Sequence, residues 1–444
     1  MNFQDSHALV CNHGNPNGSC DVCQPSILFI NRVFPPDHGA TGRCLADLAT
    51  RFAEKGWRVT VLADGAAGLR DDPAPLTVVR AGPSGRAAPG RAIDYVMALL
   101  RLYAAAVKLP RHDVVVTMTD PPLLACIGPF LRLRRSYVLI HWPQDLYPDL
   151  FPIIGVNLPR CVKGALDTLA GAVLQRYDAV IAIGACMAQR LALKGVRPER
   201  VEIVPNWADP VIRPVPRETN PMRRELGLGD RFTVAYSGNF GLAHPLEAVI
   251  DAATTLAREA PEIMFLLIGQ GRGLDRVRRK IADRALPNLR LMPWQPAWRL
   301  SESLSAADLH LASMDERAEG MLVPSKVAGA LAAGRPCILL GSANSAAARL
   351  IVGGGCGSVL PSGDGQGLAR AIMLHASDPM MHAQACARAS AAASAWSADR
   401  AAGSFIARVE SAMRLPDRRS ALRRFAGRPA APKPQAPFIA GGKD

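Results

Sequence analysis

A short apolar run of strand length, SILFIN at 26–31, leads into a loop rich in proline and glycine, FPPDHGATG at 34–42. Behind that loop the apolar residues fall at helical spacing from Leu45 to Lys55, and Gly56 stops them. A second strand-like run, Trp57 to Ala63, closes the unit. Runs without polar alternation suit strands buried on both faces, and a strand that follows a crossover helix runs parallel to its predecessor. The unit predicts an α/β domain built on a doubly wound parallel sheet. Ligands of such sheets lie beyond the carboxyl ends of the strands, so the loop Asp37–Gly42 is expected to face one. Its glycine spacing is not G-x-G-x-x-G, which argues against a nicotinamide enzyme.

The pattern then repeats. Residues 64–90 read as an irregular excursion and 91–108 as a helix, followed by strands at 114–117 and 136–142. Helices over 160–176 and 185–194 alternate with strands over 179–183 and 201–204. A proline-rich linker spans 209–230, beyond which strand 232–236, loop 237–244 and helix 246–259 open a second unit of the same kind. Its later strands are expected at 264–268, 289–292, 309–312 and 337–340, before an alanine-rich helical region over 365–414. A chain of 444 residues exceeds what one core usually supports, so two domains are expected, 26–208 and 231–395. A helix at 396–415 is expected to pack back on the first domain, and 1–25 and 416–444 to be a disordered leader and tail.

A formal net charge of +14 admits nucleic acid, anionic lipid or phosphorylated ligands as partners. The chain holds no helix-turn-helix, zinc-finger or aromatic single-strand signature and its basic residues are dispersed, so nucleic acid is not expected. No apolar run approaches the roughly 18 residues of a membrane span, and the first 25 residues lack an apolar signal core. A cytoplasmic protein is expected. Cys126, Cys186 and Cys337 sit among apolar residues and read as reduced core thiols. Cys11, His13, Cys20 and Cys23 would supply four zinc ligands, but the first pair is too close for an ordinary knuckle, and a disordered leader is the preferred reading.

Two stretches look built for an anion. EGMLVPSKVAGALAAGRP (319–336) sets Pro324, Ser325 and Lys326 at the entry of a small-residue helix, Val327–Ala333, which Gly334 and Pro336 end. A helix start gathers free N–H groups, and Lys326 adds a full charge there. In SGNFGLAH (237–244), Gly238–Gly241 would bring backbone N–H groups onto a phosphate, and His244 would add a charged hydrogen bond. Ordinary capped turns are the bland alternative for each alone. Glu319, Ser325 and Lys326 converging on the same domain face favour the site.

Eight segments carry a resemblance to a known family: ILFINRVFPPDHGATG (27–42), HWPQDLYPD (141–149), VEIVPNW (201–207), YSGNFGLAHPLE (236–247), LLIGQGRG (266–273), LRLMPWQP (289–296), AADLHL (306–311) and EGMLVPSK…GALAAGRP (319–336). The chain resembles glycosyltransferase family 4 over about 26–412, in the branch that builds bacterial surface polysaccharides on a polyprenyl carrier. The resemblance implies the GT-B architecture, two Rossmann-like domains facing across a cleft, with retaining transfer from a nucleotide sugar and no cofactor or metal in the active site.

It also implies roles. Gly39 would lie beside the donor diphosphate, which Gly238, Asn239 and Gly241 would cradle with His244, Ser325 and Lys326. Glu319 would hold hydroxyls of the transferred sugar, and Trp294 would sit by the nucleobase. His38, Gln144 and Asp145 would face the sugar and acceptor, with Asp145 a candidate proton acceptor. Catalysis would rest on Asp145, Glu319 and Lys326. The chain departs from the family in carrying Asn239 for an arginine, His244 for a lysine, and Gly329 where a second glutamate grips the ribose. A UDP-sugar donor and a lipid-linked saccharide acceptor are expected. Arg111, Arg132, Arg134, Arg135, Arg160 and Lys163, near the apolar run Leu123–Leu131, are expected to touch the anionic inner face of the cytoplasmic membrane. A nucleotide-sugar epimerase and a non-catalytic partner subunit of the same fold are the competing readings.

Overall fold

The computed structural model describes residues 24–37, 39–65, 75–82, 92–133 and 137–414. Cys11, His13, Cys20 and Cys23 of the leader, His38, Arg134, Arg135 and the tail from residue 415 lie outside them.

Strands β1 (Ser26–Ile30), β2 (Arg58–Ala63), β3 (Thr77–Arg80), β4 (Val114–Thr117), β5 (Val138–His141), β6 (Ala179–Ala182) and β7 (Val201–Ile203) form one sheet in the order β3-β2-β1-β4-β5-β6-β7. Strands β8 (Thr233–Ser237), β9 (Met264–Ile268), β10 (Leu289–Met292), β11 (Leu309–Ser313), β12 (Cys337–Leu340) and β13 (Gly357–Leu360) form the other, β10-β9-β8-β11-β12-β13. Each sheet is parallel: Ile27 stands between Val59 and Val114, and Val234 between Phe265 and Leu309. Strands β1, β4, β6, β9 and β12 are buried along their whole length, as strands covered by helices on both faces must be.

The stretch 64–90, read from sequence as irregular, contributes β3, whose short, half-exposed TVVR pairs with β2 at the sheet edge. The first helix starts at Ala40, not Leu45, and its buried Gly42 packs close to the Val33 backbone, where a Cβ would come within 3.1 Å of the carbonyl oxygen. Residues 341–364, for which no element is predicted from sequence, hold β13 and a helix, Ala346–Gly354, capped by the Ser345 hydroxyl on the Ala348 N–H. Within 209–230, Asn220 caps a short helix, Pro221–Glu225, and Arg217 and Arg223 both pair with buried Asp308 of the second domain. The last helix, Ala398–Arg414, lies on the first domain, where Phe405 meets Trp142 and Phe52 edge-on and Asp399 pairs with Arg51.

Candidate functional site

Each sheet reverses its strand order once, between β1 and β4 and between β8 and β11. The loops leaving those strands turn to opposite faces, so their carboxyl ends open a crevice. The anion-suited stretches of the sequence follow β8 and β11. On the first domain Arg32, after β1, forks onto Asp120, after β4, through bonds of 2.7 and 2.9 Å. Gly39 sits half-buried at the start of the helix Ala40–Glu54, where no side chain caps the first N–H groups.

The two domains meet at Glu319. The Leu146 N–H donates to the Met321 carbonyl at 2.7 Å, and Asp145 forms an isolated antiparallel bridge with Leu322. Arg190, from the first-domain helix Ala185–Leu193, donates through Nε to the Glu319 carbonyl at 2.5 Å. Gly320 has a φ of 72°, and a Cβ there would come within 2.7 Å of the Cys186 carbonyl, so the passage takes glycine only. The Glu319 carboxylate is half-buried and accepts from the Ser342 hydroxyl at 2.5 Å. First-domain residues therefore fix the backbone that carries it.

Lys326 begins the helix Lys326–Ala332 after β11. Its ammonium stands 5.1 Å above the Tyr236 ring, and its stem lies so near Gly238 that a Cβ there would fall 2.5 Å from Cε. Among the described residues no carboxylate pairs with it. Burial pulls its pKa from 10.5 down to about 8. Ser325, just before it, is exposed and caps nothing through its side chain. Asn239 is exposed beside the Gly269–Gly273 loop, and Trp294 is half-buried just past β10 at the carboxyl edge of the same sheet.

Three expectations are corrected. The loop Gly238–Gly241 does not offer all its N–H groups: Gly238 donates to the Ile268 carbonyl and Phe240 to Gln270, both at 2.9 Å, leaving those of Asn239 and Gly241. His244 is not a charged donor. Burial, the Lys326 charge next, holds its pKa down to about 3. Its Nδ1 donates to the Ser313 carbonyl at 2.5 Å, so Nε2 of the neutral ring carries a lone pair and accepts. Gln144 faces inward rather than to a ligand: it is 5% exposed and its side-chain oxygen accepts from Asn206 at 2.5 Å.

Asp145 is half-buried at the end of β5, and no described group donates to its carboxylate. Burial, with the Asp120 charge second, raises its pKa from 3.8 to about 7. Sequence reasoning missed Arg190, Ser342, Ser313 and Tyr236. Only Ser342, two residues past β12, stood where a strand's carboxyl end could have flagged it.

A family model described as a glycosyl transferase 4-like domain matches residues 39–207, and one described as glycosyl transferases group 1 matches 231–378. The "Probable glycosyltransferase WbjE" of Pseudomonas aeruginosa is 26% identical over 264 residues, 59% of this chain and 66% of that protein. The "Putative colanic acid biosynthesis glycosyl transferase WcaI" of Escherichia coli K12 is 32% identical over 221 residues, 48% of this chain and 53% of that protein. The matches thus span about two thirds of one relative and half of the other. Anabaena HepE, solved with UDP and glucose, superposes with a TM-score of 0.67 at 18% identity over 87% of this chain and 100% of that one, a likeness of fold.

Proposed function

The chain belongs to the family 4 glycosyltransferases of the two-domain GT-B type, related to enzymes of polysaccharide biosynthesis, and from that membership we propose that it moves a sugar from a nucleoside-diphosphate donor, a UDP-sugar first, to a lipid-linked saccharide with retention of configuration. The observation that carries the reading is Lys326, a half-buried ammonium with no acidic partner among the described residues, set beside Gly238 and in the same loop-to-helix passage as Glu319. A cation left without a carboxylate in a crevice is stabilised when an anion arrives.

In the transfer, the bond between the sugar's anomeric carbon and the diphosphate oxygen breaks and its electron pair stays on that oxygen. Lys326 and the free N–H groups of Asn239 and Gly241 meet the growing negative charge. Glu319 accepts hydrogen bonds from sugar hydroxyls, and the Nε2 lone pair of His244 accepts one more. The acceptor oxygen then bonds to the anomeric carbon on the same face, and its proton passes to Asp145 or to the departing phosphate. No metal enters this scheme. UDP-, GDP- and ADP-sugars titrated against the protein in a thermal-shift assay test it: the UDP-sugar is expected to raise the melting temperature, with turnover continuing in EDTA and the rise reduced in Glu319→Ala. A folded protein that no nucleotide sugar stabilises would point instead to a non-catalytic partner subunit.

A different face of the first domain suits a membrane contact better than the one read from the sequence. The leucine and isoleucine anchors of Leu123–Leu131 turn into the core, with Leu124, Ile127 and Leu131 at 0, 5 and 3% exposure. Arg132 is tied to Asp178 and Lys163 to Asp167. Helix Ala92–Lys108 instead presents Ile93, Val96, Met97 and Leu100, spaced as one helical face and 45–64% exposed, with Phe130 and Leu133 also exposed nearby in the first domain. In sequence Arg91 precedes that stripe, and Arg134-Arg135 follow Leu133. We assign this face to an anionic membrane surface. Co-sedimentation with phosphatidylglycerol vesicles is expected to fall about tenfold in Val96→Glu/Leu100→Glu, whereas equal binding to neutral phosphatidylcholine vesicles would refute the charge contribution.

A further inference from the structure

Between the helices Arg160–Leu174 and Ala185–Leu193 of the first domain lies a cavity of about 640 Å³. Its volume falls in the range of small-molecule sites, but its lining does not read as a greasy pocket. Asp149, Asp167, Thr168, Gln175, Arg190 and Lys194 all face it. The acidic groups are already matched. Lys194 Nζ sits 2.6 Å from Asp149 and 3.8 Å from Asp167, and Lys163 holds Asp167 from the other side at 2.7 Å. Gln175 donates its amide to the Lys194 carbonyl, which leaves its oxygen as an acceptor.

Arg190 is the exception in this wall. Its Nε is committed to the Glu319 carbonyl, while no described residue accepts from the two outer nitrogens of its guanidinium. The two carboxylates and two cations of the wall balance in number, but Asp149 and Asp167 are engaged by lysines, which leaves half-buried Arg190 as the charged group of the wall with no ion-pair partner among the described residues. Guanidinium forks match carboxylates two bonds to two. The carboxylate, amide and hydroxyl oxygens that share the lining suit a ligand rich in O–H donors. One guanidinium thus separates the cavity from the backbone of the residue assigned to the donor sugar.

We propose that this cavity is the acceptor-saccharide subsite and that it takes a sugar unit bearing a carboxylate, with Arg190 on the acid group and Asp149, Thr168 and Gln175 on hydroxyls. The proposal rests on the glycosyl-transfer reading. It adds the chemical class of the acceptor and makes Arg190 the residue that touches both the acceptor and the Glu319 loop. An acidic unit seated there draws on the same guanidinium that steadies Glu319, which couples acceptor occupancy to the grip on the donor.

Saturation-transfer NMR on the full chain tests it, with methyl β-D-glucuronide and methyl β-D-glucoside as probes. Saturation is expected on the glucuronide and at least about tenfold less on the glucoside. Arg190→Met is expected to abolish the preference, and Arg190→Lys to retain part of it. Thr168 and Ala172 are exposed positions on the cavity wall, so Thr168→Trp and Ala172→Trp fill the space without entering the core. Loss of the glucuronide signal in these variants, with melting temperatures unchanged, supports the site. Glucuronide binding that survives both tryptophans overturns the location, and equal binding of the two glycosides overturns the acidic class. The UDP-sugar thermal shift of the unsubstituted protein, run in parallel, reports on the donor reading separately. A normal shift without glucuronide binding refutes the subsite alone, and glucuronide binding without a shift refutes the donor reading alone.

Discussion

Lys326→Met is expected to lower kcat/KM by about 100-fold or more and, in the same protein, to raise the melting temperature. The first effect follows from the leaving group. A nucleoside diphosphate departs as an anion, and Lys326 is the full positive charge beside Gly238. The second follows from what that charge costs before a ligand arrives. The ammonium is half-buried over the Tyr236 ring with no described carboxylate, and its pKa has fallen from 10.5 to about 8. The ring offsets part of the desolvation but not all of it.

The sign of the pH dependence follows. Between pH 8 and 10.5 the unfolded chain still holds this proton while the folded protein has lost it, so stability of the unsubstituted protein rises across that window. The methionine variant lacks that slope and is more stable near neutrality. Donor affinity runs the other way, because it needs the charged form and falls as pH rises through about 8. Thermal unfolding from pH 6 to 10, with and without UDP-sugar, measures both. A lysine that merely packs would give a variant that loses stability, and such a result would refute the role.

How much of this was legible beforehand depends on whether the signal was local. Strands β4, β9, β10 and β12 matched their sequence bounds to the residue; β4, β9 and β12 are short buried runs, and β10 alternates an exposed Arg290 with apolar neighbours just before Pro293. β3 was not seen, since TVVR is short and half-exposed at an edge and lacks the unbroken burial that marks the central strands. Lys326 could be singled out because it stands at the start of a small-residue helix, where anions gather, and Glu319 because the family resemblance falls on it. The state of His244 could not. Its neutrality comes from the Ser313 carbonyl, the Lys326 charge and burial, and none of these is near it in sequence except through the fold. Arg190 was invisible for the same reason. It reads as one polar position on an amphipathic helix, and only the meeting of the two domains sets it against Glu319, 129 residues away.

Asp145→Asn is expected to reduce turnover by about 100-fold if Asp145 receives the acceptor's proton, and to flatten one limb of the pH profile. The carboxyl's pKa of about 7 comes first from burial and second from Asp120, itself held by Arg32. A proton acceptor works ionised, so kcat/KM rises with pH through about 7. Lys326 works protonated, so the same quantity falls through about 8. Because kcat/KM reports the free enzyme, the two residues together predict a narrow optimum between pH 7 and 8. Asp145→Asn removes the acid limb and leaves the alkaline one; Lys326→Met does the reverse. Stability gives an independent readout. Between pH 3.8 and 7 the folded protein holds the Asp145 proton that the unfolded chain has released, so stability falls as pH rises across that window. The asparagine variant escapes the fall and at pH 8 should exceed the unsubstituted protein by on the order of 1–3 kcal/mol. An acid limb that survives Asp145→Asn with turnover nearly intact would assign the proton to the departing phosphate, and the raised pKa of Asp145 would then reflect only its burial and the Asp120 charge, with no part in the transfer.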